Sequence, residues 1–225
     1  CQCLGGVPVP LYQDAIHNEL RYIVDHSECR FALAEDQEQA DKLMHLKEEI
    51  TRIEYIIYDD PRGLKNYKHD WLVAYADVQE MGRKFGKENP DYFMNAVNAV
   101  KPDDISIISY TSGTTGNPKG VVLTHANLLA NIRAMGKVVE AGPKDVFVSW
   151  LPLYHDMGLI GAWLGSMYYA ALFVVMSPLS FLSRPERWLW AIHRYRGTLS
   201  ASPNFGYEYC LRRMKDEDLQ GLDLS

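Results

Sequence analysis

The chain has 225 residues, which is enough for one large domain or two small ones. Hydrophobic residues make up 47% of the chain and charged residues 23%, so a disordered or low-complexity protein is excluded. The 29 acidic residues outnumber the 23 basic ones and give a net charge of −6, which argues against a nucleic-acid binder that relies on a basic surface.

The first hundred residues alternate short apolar runs with helix-like stretches. Strands are predicted over Val7–Leu11, Cys29–Ala34 and Ile53–Tyr58, and helices over Asp14–Glu28, Asp36–Ile50, Asp77–Phe85 and Pro90–Val100. In the first helix Ile16, Leu20 and Ile23 share one face, because they recur every three to four residues. This rhythm of strand and helix predicts a parallel, right-handed sheet covered by helices.

The same alternation continues through the rest of the chain. Strands are predicted over Ile105–Tyr110, Val121–Thr124, Val146–Leu151, Leu172–Met176 and Thr198–Ser202, and helices over Ala126–Val139, Gly158–Ala170, Pro185–Tyr195 and Phe205–Met214. Thr124 is a favourable N-cap for the helix that follows it. The predicted fold class is therefore α/β, with layered, mostly parallel sheets covered by helices.

One stretch also allows a membrane span. No charged residue lies between Asp156 and Arg184, and this run is long enough to cross a bilayer. However, Gly158, Gly161 and Gly165 interrupt it, and it divides into a helix followed by a buried strand. The pattern favours a buried helix and strand over a transmembrane segment, with a membrane protein as the alternative.

The cysteines and most histidines suggest no special chemistry. The four cysteines have neither zinc-knuckle nor disulfide-framework spacing: Cys1, Cys3, Cys29 and Cys210. Together with the lack of a signal-peptide pattern, this predicts a cytoplasmic setting. Five histidines show no metal-ligand spacing, so no metal site is predicted from them: His17, His26, His45, His69 and His193.

The segment from Tyr110 to Gly120 predicts a loop that binds phosphate. Its sequence is Tyr-Thr-Ser-Gly-Thr-Thr-Gly-Asn-Pro-Lys-Gly, in which glycines allow close backbone approach and hydroxyl groups and one lysine supply donors. It is not a Walker A loop, because Lys119 follows Pro118 and precedes Gly120, and because the loop joins two strands. A Walker-type NTPase is therefore disfavoured.

A second polar group follows the strand Val146–Leu151. The carboxyl ends of parallel strands are where α/β folds place ligands, and His155 and Asp156 come just after this one. An isolated His-Asp pair is more often a hydrogen bond at the start of a helix than a catalytic pair. Asp156 is interpreted either as the partner of His155 or as the cap of the next helix.

These motifs resemble those of the adenylate-forming superfamily, which includes acyl-CoA synthetases and the adenylation domains of peptide synthetases. Beyond the glycine-rich loop, residues 5–14, 34–39 and 56–63 are similar to bacterial long-chain acyl-CoA synthetases. Residues 149–161, 184–190 and 203–207 look more like fatty acyl–AMP ligases. Relatives usually carry a glycine near Ala170 and Ala171 and an alanine at Gly206, so this chain departs from the pattern there.

The resemblance implies a function for each motif. The loop is expected to hold the outer phosphates of ATP through Thr111, Ser112, Gly113, Thr114, Thr115, Gly116 and Lys119. His155 is expected to be catalytic by orienting the substrate carboxylate, and the substrate-binding residues implied are His155, Asp156, Met157, Gly158, Asn204 and Phe205. Ile160, and with less support Tyr168 and Tyr169, are further candidates for the wall of an acyl tunnel.

The implied reaction activates a medium- or long-chain fatty acid with ATP and Mg²⁺, and then transfers the acyl group to coenzyme A or an acyl carrier protein. The resemblance further implies that residues 1–225 are part of an N-terminal AMP-binding domain. The magnesium ligand and the C-terminal lid domain would lie elsewhere, so this piece is expected to be inactive alone. The alternatives are a non-catalytic nucleotide- or acyl-binding module of a larger synthase, and an enzyme that adenylates another carboxylic acid.

Overall fold

The computed structural model describes residues 1–111 and 118–225. They divide into two compact units, residues 1–125 and residues 126–225. Both contain strands and helices, and the parallel sheets confirm the predicted α/β class.

The first unit is built around a three-stranded parallel sheet. Its strands are β1 (Phe31–Ala34), β2 (Tyr55–Tyr58) and β3 (Leu72–Ala74), in that spatial order. The helices α1 (His17–His26) and α2 (Gln37–Glu49) occupy the two segments predicted as helical. β3 was not predicted, because three residues after a polar segment are too few to show a periodic pattern.

Apolar side chains from α1, α2 and β2 form the core of this unit. Leu20, Val24, Leu43, Leu46 and Ile56 are all buried in it. Burying a side chain of this size stabilises a fold by about 1.5–3 kcal/mol, so this cluster holds α1 and α2 in fixed positions. The start of α2 is defined by Asp36, whose carboxylate accepts a hydrogen bond from the Gln39 backbone N–H at 3.1 Å.

Two helices and a hairpin complete the first unit. The helices are α3 (Tyr75–Glu88) and α4 (Tyr92–Ala99), and the hairpin strands are β4 (Ile105–Thr111) and β5 (Lys119–Thr124). β4 and β5 are antiparallel, so this pair departs from the parallel arrangement of the other strands. The helix α5 (His125–Val138) follows β5 directly.

The segment Val7–Leu11 was predicted as a strand, and that prediction is wrong. The segment forms no strand, because Pro8 and Pro10 lack the N–H that a ladder requires. The carbonyl of Pro8 nevertheless accepts a hydrogen bond from the Ile108 N–H at 3.2 Å, which ties this segment to β4.

The second unit contains the parallel pair β6 (Val146–Ser149) and β7 (Leu172–Val175). Between them lie a π-helical segment (Met157–Leu164) and α6 (Gly165–Tyr169), and after them come α7 (Pro178–Ser183), α8 (Glu186–Tyr195) and α9 (Asn204–Arg213). The predicted strand over Thr198–Ser202 is reduced to one bridge, in which Leu199 pairs with Phe147. The short α7 was not predicted.

Aromatic stacking forms the core of the second unit. The ring of Trp150 stacks on Phe181 with centroids 3.9 Å apart, and Trp188 packs edge-on against both. The Trp188 indole N–H donates to Ser200 Oγ at 2.9 Å, so this buried ring keeps its polar atom paired. In the part of the chain that the structure describes, no helix has the length and apolar character needed to cross a membrane.

Candidate functional site

The hairpin β4–β5 presents the two ends of the glycine-rich loop. Thr111 and Lys119 are paired in the ladder where the two strands join the loop, and both side chains are exposed, whereas Pro118 is buried. The hairpin therefore brings together a hydroxyl group and a cation at one position. The other predicted phosphate-binding residues lie outside the described residues: Ser112, Gly113, Thr114, Thr115 and Gly116.

The loop end of this hairpin is anchored to α1. Tyr110 is buried, and its hydroxyl lies 2.7 Å from His26 Nδ1, within hydrogen-bonding distance. Burial raises the pKa of Tyr110, with smaller contributions from Tyr22 and Cys29. Gly120 pairs with Tyr110 in the ladder, and a Cβ added there would lie 3.1 Å from the Tyr110 ring. The glycine therefore allows the ring to lie close against β5.

His155 and Asp156 are in direct contact beyond the carboxyl end of β6. His155 Nδ1 lies 2.6 Å from Asp156 Oδ1, and both side chains are exposed. Asp156 Oδ1 also accepts a hydrogen bond from the Met157 backbone N–H at 2.7 Å. Asp156 is therefore both the partner of His155 and the cap of the next helical segment, the two roles that the sequence left open.

Gly158 lies close to the backbone at the end of β6. It is buried, and a Cβ at this position would clash with the carbonyl of Pro152 and lie 3.1 Å from the Leu151 carbonyl oxygen. Because those atoms belong to the backbone, they cannot move aside as a flexible side chain would. A glycine is thus required for the π-helical segment to begin so close to the end of β6.

An apolar cavity of about 370 Å³ lies within residues 126–225. Its walls are contributed by α5, the π-helical segment, α6 and residues 199–201, with Ile132, Met135, Met157, Gly161, Tyr169 and Ala201 among the lining residues. This volume falls in the range of small-molecule sites, which are mostly apolar with a few polar groups that fix orientation. Met157 connects the two features, because it lines the cavity and is only two residues from His155.

The predicted substrate-binding residues are only partly brought together. Met157 and Tyr169 line the cavity, whereas Gly158, Ile160 and Tyr168 are not among the residues that form its walls. Asn204 and Phe205 do not line it either. Asn204 is the exposed first residue of α9, and Phe205 packs edge-on against Trp150 with centroids 5.8 Å apart. Their roles in substrate binding stay predictions.

The contribution of α5 to the cavity was not predicted from the sequence. Gly136 is buried in α5, lines the cavity, and faces the ring of Tyr169, into which an added Cβ would clash. The interruption of an otherwise ordinary helix by a glycine was the only available signal. It could not indicate which side chain fills the space, because Tyr169 lies in a distant segment.

The chain is similar to known proteins. The family described as AMP-binding enzyme matches residues 1–225. The medium-chain-fatty-acid–acyl-carrier-protein ligase TtuA of Teredinibacter turnerae is 49% identical over 127 residues, which is 56% of this chain and 20% of TtuA. The corresponding ligase JamA of Moorena producens is 41% identical over 155 residues, which is 69% of this chain and 24% of JamA.

The chain is also similar to a solved structure. The fatty acyl-adenylate ligase from Legionella pneumophila, in complex with acyl adenylate and pyrophosphate, superposes with a TM-score of 0.70 at 32% identity. The match covers 100% of this chain and 35% of that structure. The chain thus spans about a fifth to a third of the length of these proteins. On the family match over its full length, the chain belongs to the AMP-binding enzymes.

Proposed function

We propose that this chain is part of an enzyme that uses ATP to activate a medium- or long-chain fatty acid as its acyl-adenylate. The observation that carries the proposal is the apolar cavity of about 370 Å³, whose lining residue Met157 follows directly after the polar pair His155–Asp156. A fatty acid has the same division, with a carboxylate at one end and an apolar chain at the other. We propose that the carboxylate of the fatty acid binds at His155 and that its apolar acyl chain lies in the cavity.

The loop from Thr111 to Lys119 is proposed to bind the β- and γ-phosphates. An exposed lysine and a hydroxyl group paired at the hairpin end fit an anionic ligand, because both donate hydrogen bonds and the lysine adds positive charge. ATP would be accompanied by Mg²⁺, which offsets phosphate charge. We propose that residues 1–225 form part of an N-terminal domain. The metal ligands are assigned to a part of the protein outside this chain.

The chemistry is an in-line displacement at the α-phosphorus. A carboxylate oxygen forms a bond to that phosphorus while the bond to the pyrophosphate oxygen breaks, and its electron pair leaves with pyrophosphate. His155 contributes by holding the carboxylate in line, and Lys119 by stabilising the negative charge of the leaving group. The displacement does not require His155 to remove a proton, because the carboxylate is already ionised at neutral pH.

The acyl group is then proposed to pass to a thiol. Coenzyme A and acyl carrier protein both supply one, and the names of TtuA and JamA favour the carrier protein. We also place the enzyme in the cytoplasm, since its cysteines lack the spacing of a disulfide framework.

The test is acid-dependent exchange of pyrophosphate into ATP by the full-length protein. We expect exchange with octanoic or palmitic acid, and a fall of about 10²-fold or more in Lys119→Gln, because one lost donor to a developing charge costs that much. His155→Ala should lower exchange as well. Lys137→Gln is the matched control, since Lys137 is an exposed lysine of α5 that lies outside the proposed site.

Two results would contradict the proposal. Exchange with an amino or aryl acid and none with any fatty acid would assign a different substrate class. Binding of ATP or fatty acid without any exchange would instead identify a non-catalytic module.

A further inference from the structure

Three potential metal ligands meet on the surface of the first unit. His17 is the first residue of α1, and His45 and Glu49 lie one turn apart on α2. One ligand atom from each side chain lies within 4.8 Å of the other two, and all three residues are exposed. The spacing along the sequence predicted no metal site here because His17 comes from a different helix.

The positions of the two helices keep this group together. Residues four apart share one face of a helix, so His45 and Glu49 both point toward α1. The rings of His17 and His45 have centroids 4.9 Å apart, and His17 Nε2 lies 3.0 Å from Glu49 Oε1. Ligand atoms around a tetrahedral zinc ion, at about 2.1 Å from it, lie about 3.4 Å from one another. Side-chain rotations alone can reach that spacing.

Arg21 contacts one oxygen of the Glu49 carboxylate and leaves the other oxygen available. Its Nε lies 2.6 Å from Glu49 Oε2, which leaves Oε1 directed at His17. One oxygen of Glu49 is thus held by a neighbouring group while the other faces His17, an arrangement in which the carboxylate can bind a metal.

We propose that His17, His45 and Glu49 form a binding site for a divalent transition metal such as zinc, cobalt or nickel. Two imidazole nitrogens and one carboxylate oxygen suit these ions, whereas magnesium and calcium prefer ligand sets made of oxygen alone. Water completes the coordination, because the three side chains are exposed. The site joins α1 to α2, and it is independent of the ATP-dependent function proposed above.

The test is calorimetric titration of the full chain with ZnCl₂, together with CoCl₂ titration followed by visible d–d absorption. All samples are alkylated first, because the exposed thiols of Cys1 and Cys3 would compete for zinc. We expect one ion to bind and the His17→Asn/His45→Asn double variant to lose at least about 10-fold in affinity. Glu49→Gln should also weaken binding, while Glu38→Gln should not, since Glu38 is an exposed glutamate at the other end of α2.

Three outcomes would overturn the site: no cobalt absorption in the alkylated chain without substitutions, equal zinc affinity in the double variant, or displacement of zinc by an equal concentration of MgCl₂. All substituted side chains are exposed, and circular dichroism verifies that each variant folds as the chain without substitutions does. Any loss of affinity in a folded variant is then a loss of ligands.

Discussion

Ala170 takes a left-handed conformation, with φ at 53°, where α6 ends. An L-residue with a Cβ is less stable there than glycine by about 1–2 kcal/mol, and the glycine that the family resemblance implies near this position would suit the geometry. Gly206 is the reverse case. A Cβ there would clash with Ser202 Oγ and lie 2.7 Å from Trp150, so an alanine fits only if both side chains move.

We predict that Ala170→Gly stabilises the second unit by about 1 kcal/mol, because the relief of the strain at φ 53° outweighs the greater unfolded-state entropy of glycine. Urea denaturation followed by tryptophan fluorescence measures this, because four of the five tryptophans lie in residues 126–225. Ala171→Gly is the control. It lacks a positive φ and should destabilise the unit, and a loss of stability in both variants would contradict the interpretation.

At Gly136 the absence of a side chain leaves space that the Tyr169 ring occupies. We predict that Gly136→Ala pushes this ring toward the cavity, because an added Cβ would clash with it. The rate of pyrophosphate exchange with palmitic acid should fall about 10-fold or more relative to the rate with octanoic acid. A fall of this size corresponds to the loss of roughly one or two methylene contacts. Gly142→Ala is the control, since nothing lies within 4 Å of a Cβ there. An unchanged ratio between the two acids would show that Tyr169 does not limit chain length.

Among the elements, the hairpin β4–β5 depends on α1 for its position through the contact of Tyr110 with His26. Tyr110→Phe keeps the ring but leaves His26 without this partner, so we expect a loss of about 1 kcal/mol at neutral pH. The stability difference should narrow as pH rises above 10. The raised pKa of Tyr110 means that its contribution is complete below the unfolded-state value and is lost as pH rises through the folded-state value.

Urea denaturation of the original chain and of Tyr110→Phe, followed by circular dichroism between pH 8 and pH 11, tests both parts of this prediction. Phenylalanine has no proton to lose, so only the original chain carries the additional alkaline loss. A stability difference that stays constant over this range would show that Tyr110 ionises as it would in the unfolded chain.

Most elements could be predicted from sequence because their apolar residues follow the helical or strand period, as Leu20 and Ile23 do in α1. Contacts between distant segments could not. The pairing of Tyr110 with His26 and of His17 with His45 and Glu49 depends on how the helices and strands pack, which no local pattern records. His155 and Asp156 were identifiable because a sequence motif places them at a strand end, where α/β folds bind ligands.

For the molecule as a whole, the proposed reaction needs more than the groups identified in these two units. In the proposed mechanism Lys119 would supply a positive charge and His155 would orient the carboxylate, but in-line displacement also requires the remaining phosphate charge to be neutralised and the nucleotide to be held. We proposed above that the magnesium ligands lie outside this chain. The described residues that line the cavity, in contrast, all lie within residues 126–225.

We therefore predict that residues 1–225 bind a fatty acid but do not adenylate it. A fluorescent fatty acid should bind to the 225-residue chain, with weaker binding in Gly136→Ala, because the displaced Tyr169 ring would enter the cavity. The same chain should give no acid-dependent exchange of pyrophosphate into ATP, while the full-length protein does. Measurable exchange by residues 1–225 would show that these two units already hold every group the reaction requires. Absence of fatty-acid binding would instead remove the cavity from the proposed mechanism.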